Sequence, residues 1–325
     1  MNGRWRLRFR QWIVMFLMFI VLYVLISAIA YFAGFRTGIM FYLVLSIGII
    51  FLQYLLGPTI VKSTMKVRPL TREEAPNIYD MVEELAHQAN VPMPKIGLSE
   101  VNIPNAFAYG RSKRSGHIAI TRPILGLLDR DELKAVLGHE MGHIKHNDMI
   151  VTTIVSVIPM ICYYIALSFL FSRGDDDNGY GFLIGILGYA AYILGQFLVL
   201  LISRLREYYA DEASVDFGNR PAALASALYK LSYGAARSND DEIKDVNTIR
   251  AFFANDINNG ERDVATFREI DFDGDGKISD DDLRRFYNSN ISSKASDGFK
   301  EMFSTHPDSL KRVRRLAELD HEKYN

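Results

Sequence analysis

The sequence predicts a mainly α-helical integral membrane protein, with four transmembrane helices and a cytoplasmic α+β domain that contains a small β-sheet. Two observations predict this class. Four long segments, approximately 12–35, 37–61, 149–172 and 181–203, contain no Asp, Glu, Lys or Arg, so all 37 basic and 38 acidic side chains lie outside them. The charged stretches that follow each pair are large enough to assemble one soluble domain. A net charge of −1 gives no excess of cations to recommend nucleic acid as a partner. The single cysteine, Cys162, lies in an apolar segment, which excludes an intramolecular disulfide framework and any cysteine-based metal cage.

A helix rises about 1.5 Å per residue, so about 20 apolar residues cross the hydrocarbon layer with every backbone polar group paired internally. The first segment follows Arg4, Arg6, Arg8 and Arg10; its run is too long for a signal peptide and it reads as a retained anchor. Pro159, Gly195 and Gln196 interrupt the second pair, which leaves open whether those segments cross the membrane or lie against it. Orientation follows from Lys and Arg in short flanks. Only Arg36 separates segments one and two, whereas Lys62, Lys66, Arg68 and Arg72 follow the second, and Arg204 and Arg206 the fourth. The 172–180 connection sets Arg173 beside Asp175, Asp176 and Asp177. Both termini and the soluble domain therefore face the cytoplasm of a multi-pass protein of the cell membrane. The expected organisation is a membrane hairpin over 1–62, the first part of the soluble domain over 63–148, a second hairpin over 149–203, and the rest of the soluble domain over 204–325.

In the soluble parts, residues 71–90 read as an amphipathic helix, with Thr71 as cap and Ile78, Met81, Val82 and Leu85 at helical spacing. After Pro92 and Pro94 come short runs at 95–98, 106–109 and 117–120, separated by turn residues and a basic 111–114 loop, which fit a small sheet. From Asp129 or Asp131 a helix starts, with Leu133, Val136 and Leu137 on its apolar side.

That helix continues into Gly138-His139-Glu140-Met141-Gly142-His143, an H-E-x-x-H string. Residues four apart share a helix face, so both imidazoles can converge on one Zn²⁺ while Glu140, one position round, stands beside the attacking water as general base. Zinc in a hydrolytic centre takes three protein ligands and leaves one position open. The best third ligand is Glu207, in Arg206-Glu207-Tyr208-Tyr209-Ala210-Asp211 after the fourth apolar segment. If that helix continues out of the membrane, Asp211 lies on the same side and can accept a hydrogen bond from a ligand imidazole. The alternatives are a solvated carboxylate paired with Arg204 or Arg206 for Glu207, and a helix-surface charge for Asp211. His146 is a further ligand candidate, better suited to the membrane interface.

At this point the chain resembles the membrane-bound M48 zinc metallopeptidases, and specifically the HtpX group. The resemblance covers nearly the whole chain. It rests on the paired N-terminal apolar segments, Asn105-Ala106-Phe107-Ala108-Tyr109-Gly110, the H-E-x-x-H helix running into a second apolar hairpin, Glu207-x-x-x-Asp211, and Ser304-Thr305-His306-Pro307 followed by Arg312 and Arg315. It implies a zincin-like metalloprotease domain with one zinc per chain on His139, His143 and Glu207, Glu140 as general base, and cleavage of misfolded membrane or cytoplasmic proteins in stress-related quality control. It further implies that Asn105, Ala106, Phe107 and Ala108 belong to a strand beside the cleft that pairs with an extended substrate by β-augmentation. His306 is then either a donor to the oxyanion or a helix-start residue. Protein substrates and the lipid bilayer are the implied partners; self-association is left open.

Residues 271–282 depart from that group. Asp271, Asp273 and Asp275 occupy positions 1, 3 and 5 of an EF-hand-like loop, with Gly276 at 6, Lys277 at 7, Ile278 at 8 and Asp282 at 12 in place of the usual Glu. Val264, Phe267 and Ile270 before it, and Leu283, Phe286 and Tyr287 after it, allow short flanking helices. The loop reads as an EF-hand-like insertion that binds Ca²⁺, with lower affinity or Mg²⁺ competition because Asp282 is short; the alternative is a solvated Asp/Gly turn. Two other functions fit the motifs less well. A CAAX-type prenyl-protein protease is built on more membrane helices, and a catalytically inactive Ca²⁺-responsive scaffold has no need of intact Glu140 and Glu207.

Overall fold

A computed structural model describes residues 38–170, 180–236, 260–289, 291 and 307–324. The first apolar segment and His306 lie outside them. In chain order the elements are α1 (Gly38–Thr64), β1 (Val67–Pro69), α2 (Pro76–Ala89), β2 (Lys95–Ser99), β3 (Ala106–Tyr109), β4 (His117–Thr121), α3 (Arg122–Leu127) and α4 (Arg130–His146). There follow α5 (Asp148–Leu170), α6 (Tyr180–Asp216), α7 (Pro221–Ala236), α8 (Gly260–Arg268), α9 (Asp280–Tyr287) and α10 (Ser309–Tyr324). The chain divides into two compact units, Met1–Leu56 with Ile150–Leu205, and Gly57–Met149 with Arg206–Asn325.

The third apolar segment is helical as far as Leu170 and the fourth throughout, and among the described residues Asp148–Leu170 and Gly181–Asp216 are long and apolar enough to cross a membrane. The second apolar segment forms α1, uncharged from Gly38 to Val61. Val155, Ile158 and Ile202 form a small core with Leu198 and Val199 packed on it. Ser156 and Ser168 donate their hydroxyls to the carbonyls of Thr152 and Tyr164 one turn back, which hides them from an apolar solvent. Phe182 is 63% exposed, and Leu183 and Leu194 are exposed with it. An apolar surface of this kind is costly in water and favoured in lipid.

The second unit is built on a four-stranded sheet of order β1-β2-β4-β3. Strands β2 and β4 run parallel at its centre, with β1 and β3 antiparallel on the flanks. Side chains alternate faces along each strand, so Ile96, Leu98, Ile118 and Ile120 enter one core with Met81, Val82 and Leu85 of α2 and Leu133, Val136, Leu137 and Met141 of α4. The other face buries Phe107, Tyr109 and Ala119 against Val61, Met65 and Ile103. Both faces are thus covered, which leaves β3 as a strand edge beside α4.

Helix α4 is fixed at both ends. Asp129 accepts from the Glu132 N–H at 3.1 Å and Glu132 accepts from the Asp129 N–H at 2.8 Å, a reciprocal capping box. The buried Glu132 carboxylate also takes Ser226 Oγ and Lys230 Nζ, both at 2.7 Å, tying α4 to α7. At the other end Asn147 adopts the left-handed conformation (φ 57°, ψ 40°) and its N–H closes on the carbonyls of His143 and Ile144.

Two local features differ from the sequence expectation. The helix expected from Thr71 begins only at Pro76: Thr71 and Glu74 bond to each other's backbone N–H and close a turn, and proline then takes the first helical turn, where no N–H is needed. Strand β1 was not expected, because three residues ending in Pro69 carry no alternation to read. The apolar residues flanking the acidic loop pack into the domain core. Val264, Phe267, Ile270, Ile278, Leu283 and Phe286 lie in the same core as α4 and α7, and Phe267 stacks on Tyr229 at 5.2 Å.

Candidate metal centre

Helix α6 runs unbroken from the apolar 181–203 segment through Arg204 to Asp216, and this continuity carries Glu207 to the H-E-x-x-H face of α4. Gly142 permits the approach: a Cβ there would lie 2.9 Å from Ala213 Cβ and 3.0 Å from Ala210 Cα, so only glycine lets the α6 backbone come this close. The Nε2 atoms of His139 and His143 are 3.2 Å apart, and the Glu207 carboxylate oxygens lie 3.7 and 3.6 Å from them. One ligand atom from each of the three falls within 4.8 Å of the others.

Carboxylates fix the tautomers. His139 Nδ1–H donates to Asp211 Oδ1 at 2.8 Å, and His143 Nδ1–H donates to Asp148 Oδ2 at 2.7 Å. A carboxylate only accepts, so each Nδ1 carries the proton and each Nε2 turns a lone pair toward its neighbour and toward Glu207. Such an arrangement repels itself unless a cation joins the three. Atoms bound about 2.0–2.1 Å from a tetrahedral zinc lie roughly 3.4 Å from one another, close to the separations here. The donor set therefore fits zinc.

Arg312, 1% exposed, closes the arrangement behind His139. Its Nε and Nη2 donate to the two Asp211 oxygens at 2.9 and 2.7 Å, and Nη1 lies 3.4 Å from Glu207 Oε2. Burial works against its charge, but the Asp211 carboxylate outweighs that and holds the guanidinium above its ordinary pKa. Behind His143, Arg206 pairs with Asp148 and donates to the His146 carbonyl at 3.0 Å.

Glu140 is buried beside the two histidines. Burial pushes its carboxyl above the ordinary carboxylate range, against the pull of His143, His139 and the Ala108 N–H, which donates to Oε2 at 2.7 Å. In an antiparallel pair, successive residues turn their backbone groups to opposite sides. Asn105 faces β4, its carbonyl accepting the Thr121 N–H at 2.9 Å. Ala106 and Ala108 accordingly turn theirs to the side away from β4, where the Ala108 N–H meets Glu140, and Phe107 buries its side chain under the sheet. Of the four residues expected to bind substrate, Ala106 and Ala108 thus lie along the edge that no other strand pairs with among the described residues, the Ala108 N–H being taken by Glu140, while Asn105 anchors the strand. His146 has a half-buried side chain, with its ring edge-on to Tyr209 and 6.0 Å from it, outside the ligand group.

In the acidic loop, Asp271, Asp273 and Asp275 also gather within 4.8 Å of one another. Asp271 accepts the N–H groups of Gly274, Asp275 and Gly276 at 2.8, 3.1 and 2.9 Å, with Gly276 at φ +81°. Asp282 is turned toward the start of α9, where its Oδ2 accepts from Ser279 Oγ at 2.6 Å and its Oδ1 from the Phe272 N–H at 3.1 Å. Lys277 Nζ reaches Asp129 Oδ2 at 3.2 Å.

Residues 72–320 match the sequence pattern of Peptidase family M48. The chain belongs to this family. The M48 segment encloses every residue of the centre, from the β3 edge to Arg312. A protease HtpX homolog of Methanothermobacter thermautotrophicus is 50% identical over 227 residues, 70% of this chain and 86% of its own length. Protease HtpX homologs of Pyrococcus abyssi and Thermoplasma acidophilum are each 32% identical and align over 91% of both chains. These M48 relatives agree with the resemblance read from the motifs. The crystal structure of S. mikatae Ste24p aligns with 94% of this chain and 66% of its own length, at 18% identity and a TM-score of 0.49.

Proposed function

We propose that this M48 protein is a membrane-bound zinc endopeptidase that cleaves misfolded membrane or cytoplasmic proteins in quality control. One observation supports this above all: His139, His143 and Glu207 turn three electron-pair donors to one point, with both histidines backed by carboxylates. Zinc held by these three supplies Lewis acidity toward water and toward a peptide carbonyl. Glu140 takes the proton of the attacking water and returns it to the departing amine nitrogen. Its burial keeps bulk water from competing for that proton. An extended substrate adds to the open edge of β3 at Ala106 and Ala108, so the base and the substrate strand share a boundary at the Ala108 N–H. His306, outside the described residues, is proposed as a donor to the oxyanion on the family resemblance alone, its alternative being a helix-start residue. The flanking charges favour a cytoplasmic active site, with both termini on that side of the cell membrane.

Glu140→Gln keeps the carboxylate's shape without its basicity. We expect it to retain zinc and to lower casein cleavage by detergent-purified protein by at least about 10²-fold. Undiminished proteolysis with zinc still bound would remove Glu140 from its role.

The 271–282 loop is proposed to bind Ca²⁺ and so to regulate or stiffen the domain, on the strength of its three gathered carboxylates. Calorimetry on the full chain should register uptake of about one Ca²⁺ at millimolar concentration, lost in Asp273→Asn/Asp275→Asn. Absence of uptake at that concentration ends this part of the reading.

A further inference from the structure

The two histidines of the centre are backed by different parts of the chain, and only one backing was foreseeable from spacing. His139 leans on Asp211, four residues beyond Glu207 on the same helix. His143 leans on Asp148, five residues further along the sequence. In a continuous helix a residue five positions on lies about 140° round the axis, out of reach of the first. The left-handed Asn147 breaks α4 after His146, and α5 starts again with Asp148 turned back against the His143 ring. Asp148 and Arg206 are both under 10% exposed, so each charge needs the other to be stable there. Arg206 also donates to the His146 carbonyl, one of the last of α4, and it immediately precedes the ligand Glu207. One side chain thus ties the helix carrying Glu207 to the end of the helix carrying His139 and His143.

We propose that Asp148 and Arg206 form a second positioning pair for the metal centre, matching Asp211 and Arg312. Asp148 fixes the His143 tautomer so that Nε2 offers its lone pair to the metal. Arg206 fixes Asp148, and its hydrogen bond to the His146 carbonyl holds the guanidinium in place to do so. Neither residue touches substrate; both act through His143.

This rests on the zinc reading, and the test separates the two. The full chain carrying Glu140→Gln, which prevents self-cleavage, is purified in detergent and titrated with zinc against a chelator. Melting of the metal-free protein is followed in parallel. Adding Asp148→Ala should weaken zinc binding about 10- to 100-fold, as loss of a partner behind a metal-bound histidine does elsewhere, with Asp148→Asn falling between because it keeps an acceptor oxygen. Asp148→Ala leaves Arg206 buried without its counter-charge and should also melt lower. The double variant Asp148→Ala/Arg206→Met removes both charges. It should recover much of the melting temperature while binding zinc as weakly as Asp148→Ala alone, since Arg206 acts through Asp148.

A purely structural pair would behave differently: zinc affinity would stay at the parent value in the double variant whatever happened to melting, and that result overturns the proposal. If Asp148→Ala fails to fold, the zinc affinities of the double variant and of Asp148→Asn decide the matter in its place. A Glu140→Gln parent that takes up no zinc contradicts the metal-centre reading itself, and this inference with it.

Discussion

Arg312 shows how much of the candidate centre's energetics lies outside the three residues proposed to hold zinc. It balances Asp211, which is fully buried, and it is itself sealed from solvent. Removing one partner of such a pair strands the other charge in a low-dielectric interior, so Arg312→Ala should destabilise the protein by about 3–5 kcal/mol. Denaturant unfolding of the metal-free protein measures this, and an unchanged midpoint would mean that Asp211 finds other compensation. At this scale the sequence was legible where chemistry and spacing coincide. His139 and His143 sit one helical turn apart, as do Glu207 and Asp211, so periodicity alone assigns each pair a shared face. Asp148 was not legible, because its position depends on a left-handed residue that the pattern hides. Arg312 could be singled out only by resemblance. It reaches Asp211 across 101 residues of sequence, and no local rule spans that distance.

At the scale of elements, the corner between α4 and α5 decides where the second carboxylate stands. Asn147 tolerates its left-handed conformation because a short polar side chain meets little steric penalty there, whereas a β-branched residue does. Asn147→Val should therefore cost about 1–2 kcal/mol, and Asn147→Gly little. Melting of the two variants side by side checks this; equal losses would place the cost in the asparagine side chain rather than in the backbone. Helices α2 and α4 could be read from helical spacing, and β2, β3 and β4 as short apolar runs bounded by turn residues, although the sheet is covered on both faces. Strand β1 could not, because three residues are too few to show alternation. The start of α2 was misplaced because Thr71 and Glu74 form the exchange of hydrogen bonds that commonly opens a helix, but spend it on a turn. The acidic loop was visible as a motif. That its flanking helices share the domain core was not, since apolar spacing shows that a face is buried but not against what.

For the molecule as a whole, the separation of uncharged from charged segments was the strongest signal in the sequence. It arises from solvent: a helix in lipid cannot tolerate unpaired charge, and a soluble domain of this size needs charge on its surface. Helix α6 joins the two materials in one continuous element, apolar at its start and carrying Glu207 and Asp211 near its end. The metal centre is therefore expected to exist only when three distant stretches of chain meet. The most direct test is zinc content, measured by mass spectrometry on detergent-purified Glu140→Gln protein and on the same chain with His143→Ala or Glu207→Ala added. About one zinc per chain in the first, and almost none in the other two, is the predicted result. Zinc retained without Glu207, or absent from all three, would contradict it.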